Sequence, residues 1–201
     1  MKGEFMSNKK CGYYIQLDDI AEKFLRIGQF LGEGHNGIVY LLPDDKVIKI
    51  FKDKKVCESE FNILKKTTKS KHFPQIYYHG SNYIVRSYAR GVRLDYYIKE
   101  NGLDYNAAYS IIELLKEFKK LGFTKLDIRC KDLYLDENFY LNVIDPKNNY
   151  SKHCIYPRHL MKGLNKLGVL GDFLDAVNSE YTEVYDDWSF RIKRYLKRGI
   201  K

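Results

Sequence analysis

The stretch Lys125 to Lys147 reads KLDIRCKDLYLDENFYLNVIDPK, and it spaces three carboxylates: Asp127, then Asp132 five positions on, then Asp145 eighteen after Asp127. Two β-like runs, Leu133 to Leu135 and Phe139 to Ile144, flank the turn formers Asp136, Glu137 and Asn138, so the pair reads as a hairpin. Such a hairpin carries Asp132 towards Asp145. Converging carboxylates repel unless a cation lies between them, and an oxygen-only pair suits Mg²⁺. Asp127, on the loop leading in, is then free to orient a hydroxyl nucleophile or accept its proton. A plainer reading makes Asp132 a turn cap and Asp136 to Asn138 solvated loop. Taken alone, the stretch leaves both readings open.

Towards the N-terminus, the run RIGQFLGEGHNGIVYLLPDDKVIKIF holds Gly32, Gly34 and Gly37 in G-x-G-x-x-G spacing. In a dinucleotide-binding fold the third glycine opens a helix, whereas here Ile38 to Leu42 is β-rich, turns at Pro43-Asp44-Asp45 and returns as Lys46 to Phe51. The spacing therefore predicts an antiparallel hairpin behind a glycine-rich bend whose N–H groups can approach phosphates. Lys49, in the middle of the returning strand, either faces solvent or carries a buried charge with a partner. Val56, Glu60, Ile63, Leu64 and Thr67 share one face of a helix predicted over about Lys55 to Thr68. Glu60 thus sits inside an apolar stripe and needs a cation, which Lys49 can supply. Two further strands, Gln75 to Tyr78 and Tyr83 to Ser87, complete a five-stranded antiparallel sheet with one helix. A short helix is expected around Asp18 to Phe24.

From Leu94 the pattern turns helical. Ala107, Ala108, Ile111, Ile112, Leu115, Phe118 and Leu121 fall on one face of a helix from Asp104 to Lys120, with Asp104 as N-cap and Gly122 closing its C-terminus. After Lys147 come a basic and aromatic loop, Asn148 to Arg158, and helices near His159 to Lys166, Gly168 to Val177 and Tyr181 to Lys197. The loop reads either as a substrate-holding segment or as a plain connector.

The chain of 201 residues, 44% hydrophobic and 30% charged, is expected to form one domain of α+β class with two lobes, 1–88 and 89–201. No apolar run is long enough to span a bilayer and MKGEFMSNKK has no apolar core of a signal peptide, so a cytoplasmic protein without a membrane partner is expected. Cys11, Cys57, Cys130 and Cys154 lack metal-ligand spacing and read as reduced thiols. The net charge of +9 is spread along the chain, with short clusters at Lys52 to Lys55 and Arg191 to Lys201. It is read as a solvated surface ahead of a nucleic-acid interface, which it leaves open; a positive field also suits nucleotide phosphates.

In order, these motifs resemble the protein-kinase-like superfamily over about Ile27 to Lys147. GEGHNGIV is similar to the glycine-rich loop, VIK to the strand presenting the ATP lysine, and Glu60 with Leu64 to the helix-C glutamate region. SYARG followed by Leu94 is similar to the hinge, LDIRCKD to the catalytic loop, and VIDPK to the metal-binding segment. The resemblance implies a two-lobed fold, ATP as cofactor and the following roles. Gly32, Gly34, Gly37 and Val39 cover the nucleotide, Lys49 binds the α- and β-phosphates while paired to Glu60, and the backbone of Ser87 and Ala89 holds the adenine edge. Asp127 is the catalytic aspartate, Arg129 neutralises the transferring phosphate, and Asp132 and Asp145 hold Mg²⁺, or Mn²⁺.

The departures are as informative. Lys125-Leu126 replaces the family's His-Arg, Asp132 stands for an asparagine, and Pro146-Lys147 replaces Phe-Gly. Arg86 occupies an apolar gatekeeper's place and is expected to pair with Glu60 or Asp145, competing with Lys49. No A-P-E motif follows, and the stretch after Lys147 is short for a peptide platform, a compactness similar to the RIO-type atypical kinases. The implied function is a serine/threonine protein kinase. A small-molecule kinase, or a pseudokinase that holds nucleotide without turnover, stands as the alternative.

Overall fold

The computed structural model describes residue 15 and residues 17–198; Cys11, the opening MKGEFMSNKK and the end of the Arg191 to Lys201 cluster lie outside the described residues. Helix α1 (Asp19–Ile27) opens on Asp18, whose carboxylate accepts from Ala21 N at 2.8 Å and from the Tyr83 hydroxyl. Five strands follow: β1 (Gln29–Gly34), β2 (Gly37–Leu42), β3 (Lys46–Phe51), β4 (Ile76–His79) and β5 (Tyr83–Ser87). They form one antiparallel sheet in the order β1-β2-β3-β5-β4. Asp44 and Asp45 both take positive φ at the β2–β3 turn, which a short polar side chain tolerates. Helix α2 (Lys54–Lys66), capped by Asp53, crosses between β3 and β4.

Alternation along β3 sorts its side chains between two cores. Ile48 and Ile50 join Ala21, Tyr83 and Val85 under α1, while Phe51 joins Ile63, Leu64 and Ile84 on the α2 side. Lys49 and Arg86 have the parity of that second face, since Lys49 pairs with Ile84 and Val47 with Arg86. Both cations are therefore buried, at 6% and 5% exposure.

Beyond Ser87 come β6 (Val92–Arg93), α3 (Leu94–Asn101) and α4 (Tyr105–Lys120), the last capped by Asp104, which accepts from Ala107 N at 3.0 Å, and closed by Gly122 at φ 70°. A 3₁₀ turn over Cys130–Asp132 leads into the hairpin β7 (Leu133–Leu135) and β8 (Leu141–Val143), to which β6 adds a third strand. Helices α5 (Arg158–Lys166), α6 (Leu170–Glu180) and α7 (Thr182–Lys197) finish this half, with Trp188 and Phe173 fully buried among them. The result is the two-lobed α+β arrangement, with a five-stranded sheet and a mainly helical second half. β6 is too short to leave a periodic signal. Among the described residues no helix is long and apolar enough to cross a membrane, and Cys57, Cys130 and Cys154 are free thiols.

Candidate active site

The glycine-rich bend between β1 and β2 is tied to the sheet at its base: Lys52 N donates to Asn36 O at 2.9 Å, and Lys52 Nζ reaches Glu33 at 2.8 Å. Gly37 packs so closely that a Cβ there would lie 1.8 Å from Ile50 O, whereas Gly32 and Gly34 have open space around them. Beneath the bend, a cleft of about 270 Å³ is lined by Gly34, Gly37, Val39, Lys49, Asp132 and Asp145, together with Arg86 and Arg129. Gly32, Ser87 and Ala89 do not line it. The Ser87 N–H, moreover, is already donated to Gln75 O at 2.9 Å.

Lys49 Nζ lies 2.6 Å from Glu60 Oε2 and 3.2 Å from Asp145 Oδ1, with Glu60 2% exposed. Burial pushes the Glu60 carboxyl above its ordinary range despite the opposing pull of Lys49. For Asp145, burial acts in the same sense, but Lys49 and Lys147, the latter at 2.5 Å, outweigh it and hold the carboxyl below the usual range. The expectation for Arg86 is corrected here. It makes no ion pair with Glu60 or Asp145; instead its Nη2 donates to Ile144 O at 2.8 Å, and burial depresses its guanidinium. The strand geometry aims it at the backbone just before Asp145 rather than at a carboxylate.

Beside Asp132 and Asp145 lies a cation of the chain's own. The guanidinium of Arg129 forks onto Asp132 at 2.6 and 2.8 Å, and stands 3.8 Å from Asp145. A planar two-pronged donor three residues before Asp132 in a 3₁₀ turn is positioned to chelate it, so charge balance here comes from the protein itself. Asp127, 3% exposed, is likewise not free: it accepts from His159 N at 2.6 Å in the first turn of α5, and His159 Nδ1 meets its other oxygen. His159 lies 32 positions along the chain, so no local spacing pointed to it. Lys147 was visible only as a departure from Gly, and its hold on Asp145 was not.

Asp127 opens into a second cavity of about 370 Å³, which shares Arg129, Asp132, Asp145 and Lys147 with the first. Asp132 and Asp145 thus stand on the wall that the two cavities share, and Asp127 opens into the second alone. Among the described residues no group of three or more His, Cys, Asp or Glu side chains could hold a metal ion. Two carboxylates on one wall nevertheless fit a Mg²⁺ whose other ligands are phosphate oxygens and water.

No protein-family model matches the chain, and no curated protein matches it. Among solved structures it is similar to the streptomycin–ATP–APH(2″)-IIa ternary complex, at 18% identity and a TM-score of 0.41, over 53% of this chain and 40% of that one. It is also similar to a crystal structure of WbdD, at 18% identity and a TM-score of 0.47, over 58% of this chain and 32% of that one. The chain spans less than half the length of either.

Proposed function

We propose that this protein is an ATP-dependent phosphotransferase that moves the γ-phosphoryl group onto a hydroxyl. One observation carries the reading: Lys49, fixed between Glu60 and Asp145, presents an ammonium under a glycine-rich bend, with Asp132 on the same cleft and Asp127 just beyond it. A buried ammonium held by two carboxylates is a preset counter-charge for phosphates, and the open glycines let backbone N–H groups approach them. In this reading 1–88 and 89–201 are the two lobes of one cytoplasmic domain, with the nucleotide between them.

Gly34, Gly37 and Val39 cover the nucleotide; Gly32, Ser87 and Ala89 serve the parts of it that lie outside the cleft. Asp132 and Asp145 would hold Mg²⁺, or Mn²⁺, which supplies neutralisation of phosphate charge when bound. The acceptor oxygen attacks the γ-phosphorus while the bond to the β–γ bridging oxygen breaks, ADP leaves, and the hydroxyl proton passes to Asp127. For Asp127 to take it, His159 gives up its side-chain contact. Arg129, between Asp132 and Asp145, meets the charge of the moving group.

Two acceptor classes compete, a serine or threonine of a protein and a small molecule; the second cavity beside Asp127 favours the small molecule. A nucleotide-holding module without turnover is the second reading, favoured by the engagement of Asp127 by His159 and of Asp132 by Arg129. The deciding experiment incubates the protein with Mg²⁺-ATP or Mn²⁺-ATP and measures ADP release and intact mass beside Asp127→Asn. Turnover in the wild type alone supports phosphotransfer. ATP binding without ADP release, with either metal and with a panel of hydroxyl compounds, favours the silent module.

A further inference from the structure

We propose that the cavity beside Asp127 binds a small hydroxyl compound that already carries a phosphate ester, and that Lys125, Lys152 and Arg158 hold this phosphate. The use made of the hydroxyl rests on the phosphotransfer reading; the binding site does not.

The charges lining the cavity sort into two groups. Arg129 is taken by Asp132, Lys147 by Asp145, and Asp127 by His159. Lys125, Lys152 and Arg158 remain, and among the described residues none of the three has a carboxylate at ion-pair distance. Lys125 is half-buried, with its Nζ donating only to Lys147 O at 2.9 Å, and burial depresses its ammonium. The Nε of Arg158 is buried without a hydrogen-bond partner, and the guanidinium sits 5.4 Å from the Tyr195 ring centre. Three cations around one cavity repel one another, and an anion among them offsets both that repulsion and the desolvation of Lys125.

The wall that carries them is built rather than loose. Lys125 and Cys154 form a parallel bridge, Leu126 N donates to Cys154 O and Cys154 N to Thr124 O, each at 2.9 Å, and Thr124 Oγ1 donates to Lys152 O at 2.8 Å. The loop from Asn148 to Arg158 is therefore fastened to the segment that bears Asp127. Its basic residues Lys152 and Arg158 line the cavity, which favours the substrate wall over the plain connector. A phosphate ester fits better than a carboxylate, because three terminal oxygens meet three donors. The volume of about 370 Å³ lies near the small end of the range for compact ligands, roughly 300–1,000 Å³. With the phosphate at that wall and a hydroxyl at Asp127, transfer from ATP gives ADP and a bisphosphate, the hydroxyl proton going to Asp127.

Calorimetry on the full chain without ATP tests the site, using glycerol phosphate, ribose phosphate and glucose phosphate, each beside its unphosphorylated parent, with inorganic phosphate and a hexaglutamate peptide as further arms. At least one ester is expected to bind, with its parent at least about tenfold weaker. Lys152 is exposed, so Lys152→Glu keeps the fold, checked by its melting curve, and should weaken that ester at least about tenfold, while the same charge reversal at the exposed Lys23 of α1, Lys23→Glu, leaves its affinity unchanged. The proposal is overturned if no ester binds, if Lys152→Glu weakens binding no more than Lys23→Glu does, if inorganic phosphate binds as tightly as every ester, or if hexaglutamate binds and the esters do not. Should an ester bind with the expected variant pattern yet accept no phosphoryl group from ATP, the anion site stands and the phosphotransfer reading falls.

Discussion

Lys49 Nζ and Glu60 Oε2 meet at 2.6 Å with both side chains buried, while Glu60 Oε1 has no hydrogen-bond partner. Removing the ammonium leaves a buried carboxylate without its nearest counter-charge. Lys49→Met is expected to cost about 3 kcal/mol of stability in urea unfolding, and Lys49→Met with Glu60→Leu to recover most of it. With Glu60→Leu alone completing the cycle, a double-variant loss equal to the sum of the two single losses would show that the side chains are not coupled.

Asp127→Asn keeps an oxygen that can accept from His159 N, now at 2.6 Å, but loses the capacity to take a proton at neutral pH. The variant should fold and bind ATP as the wild type does, with transfer lowered by about a hundredfold or more. Single-turnover transfer beside ATP affinity checks this. Undiminished transfer would remove Asp127 as the base.

The glycines of the bend are expected to separate into two kinds. Gly37→Ala places a methyl carbon 1.8 Å from Ile50 O, a backbone atom in a paired strand that cannot swing aside. A loss of at least about 2 kcal/mol should follow. Gly34→Ala meets nothing within 4 Å, so its melting temperature should hold while ATP affinity falls, because the methyl fills space that a phosphate would use.

His72 gives the fold a pH dependence. Its Nδ1 sits 2.7 Å from Leu141 O and its ring stacks on Tyr140, and burial lowers its pKa below the ordinary histidine value. Between the two values the unfolded chain binds a proton that the folded chain does not, so stability rises with pH there. The contribution is full above about pH 6.5 and is lost as pH falls through the folded value. Melting temperature should rise from about pH 5.5 to about pH 7.5, and by less in His72→Gln.

Much of this architecture was legible because it rests on periodicity. The glycine bend, the Lys46–Phe51 strand, Glu60 on an apolar stripe and the helix capped by Asp104 all follow from local spacing. The Lys49–Glu60 contact was readable from the acid's side, since a core-facing Glu60 needed a cation and a lysine on the neighbouring strand could supply it. The rest depends on distances that no spacing encodes. His159 reaches Asp127 only because α5 folds back across the loop that bears Asp127, and the direction of Arg86 depends on where β8 ends relative to β5. The fork of Arg129 onto Asp132 was within reach of the sequence, being a three-residue step, but the guanidinium was read as addressed to the transferring phosphate.

The bond from Arg86 to the Ile144 carbonyl rivets the end of the hairpin to the sheet. Moving the Ile144–Asp145 backbone out of the cleft would strip a buried guanidinium of its carbonyl acceptor and at the same time pull the Asp145 carboxylate from Lys49 and Lys147. The segment is consequently a fixed part, not a hinge. The backbone at that point can stay in place when a ligand arrives, and an on–off control acting by swinging the whole segment would have to break these contacts together.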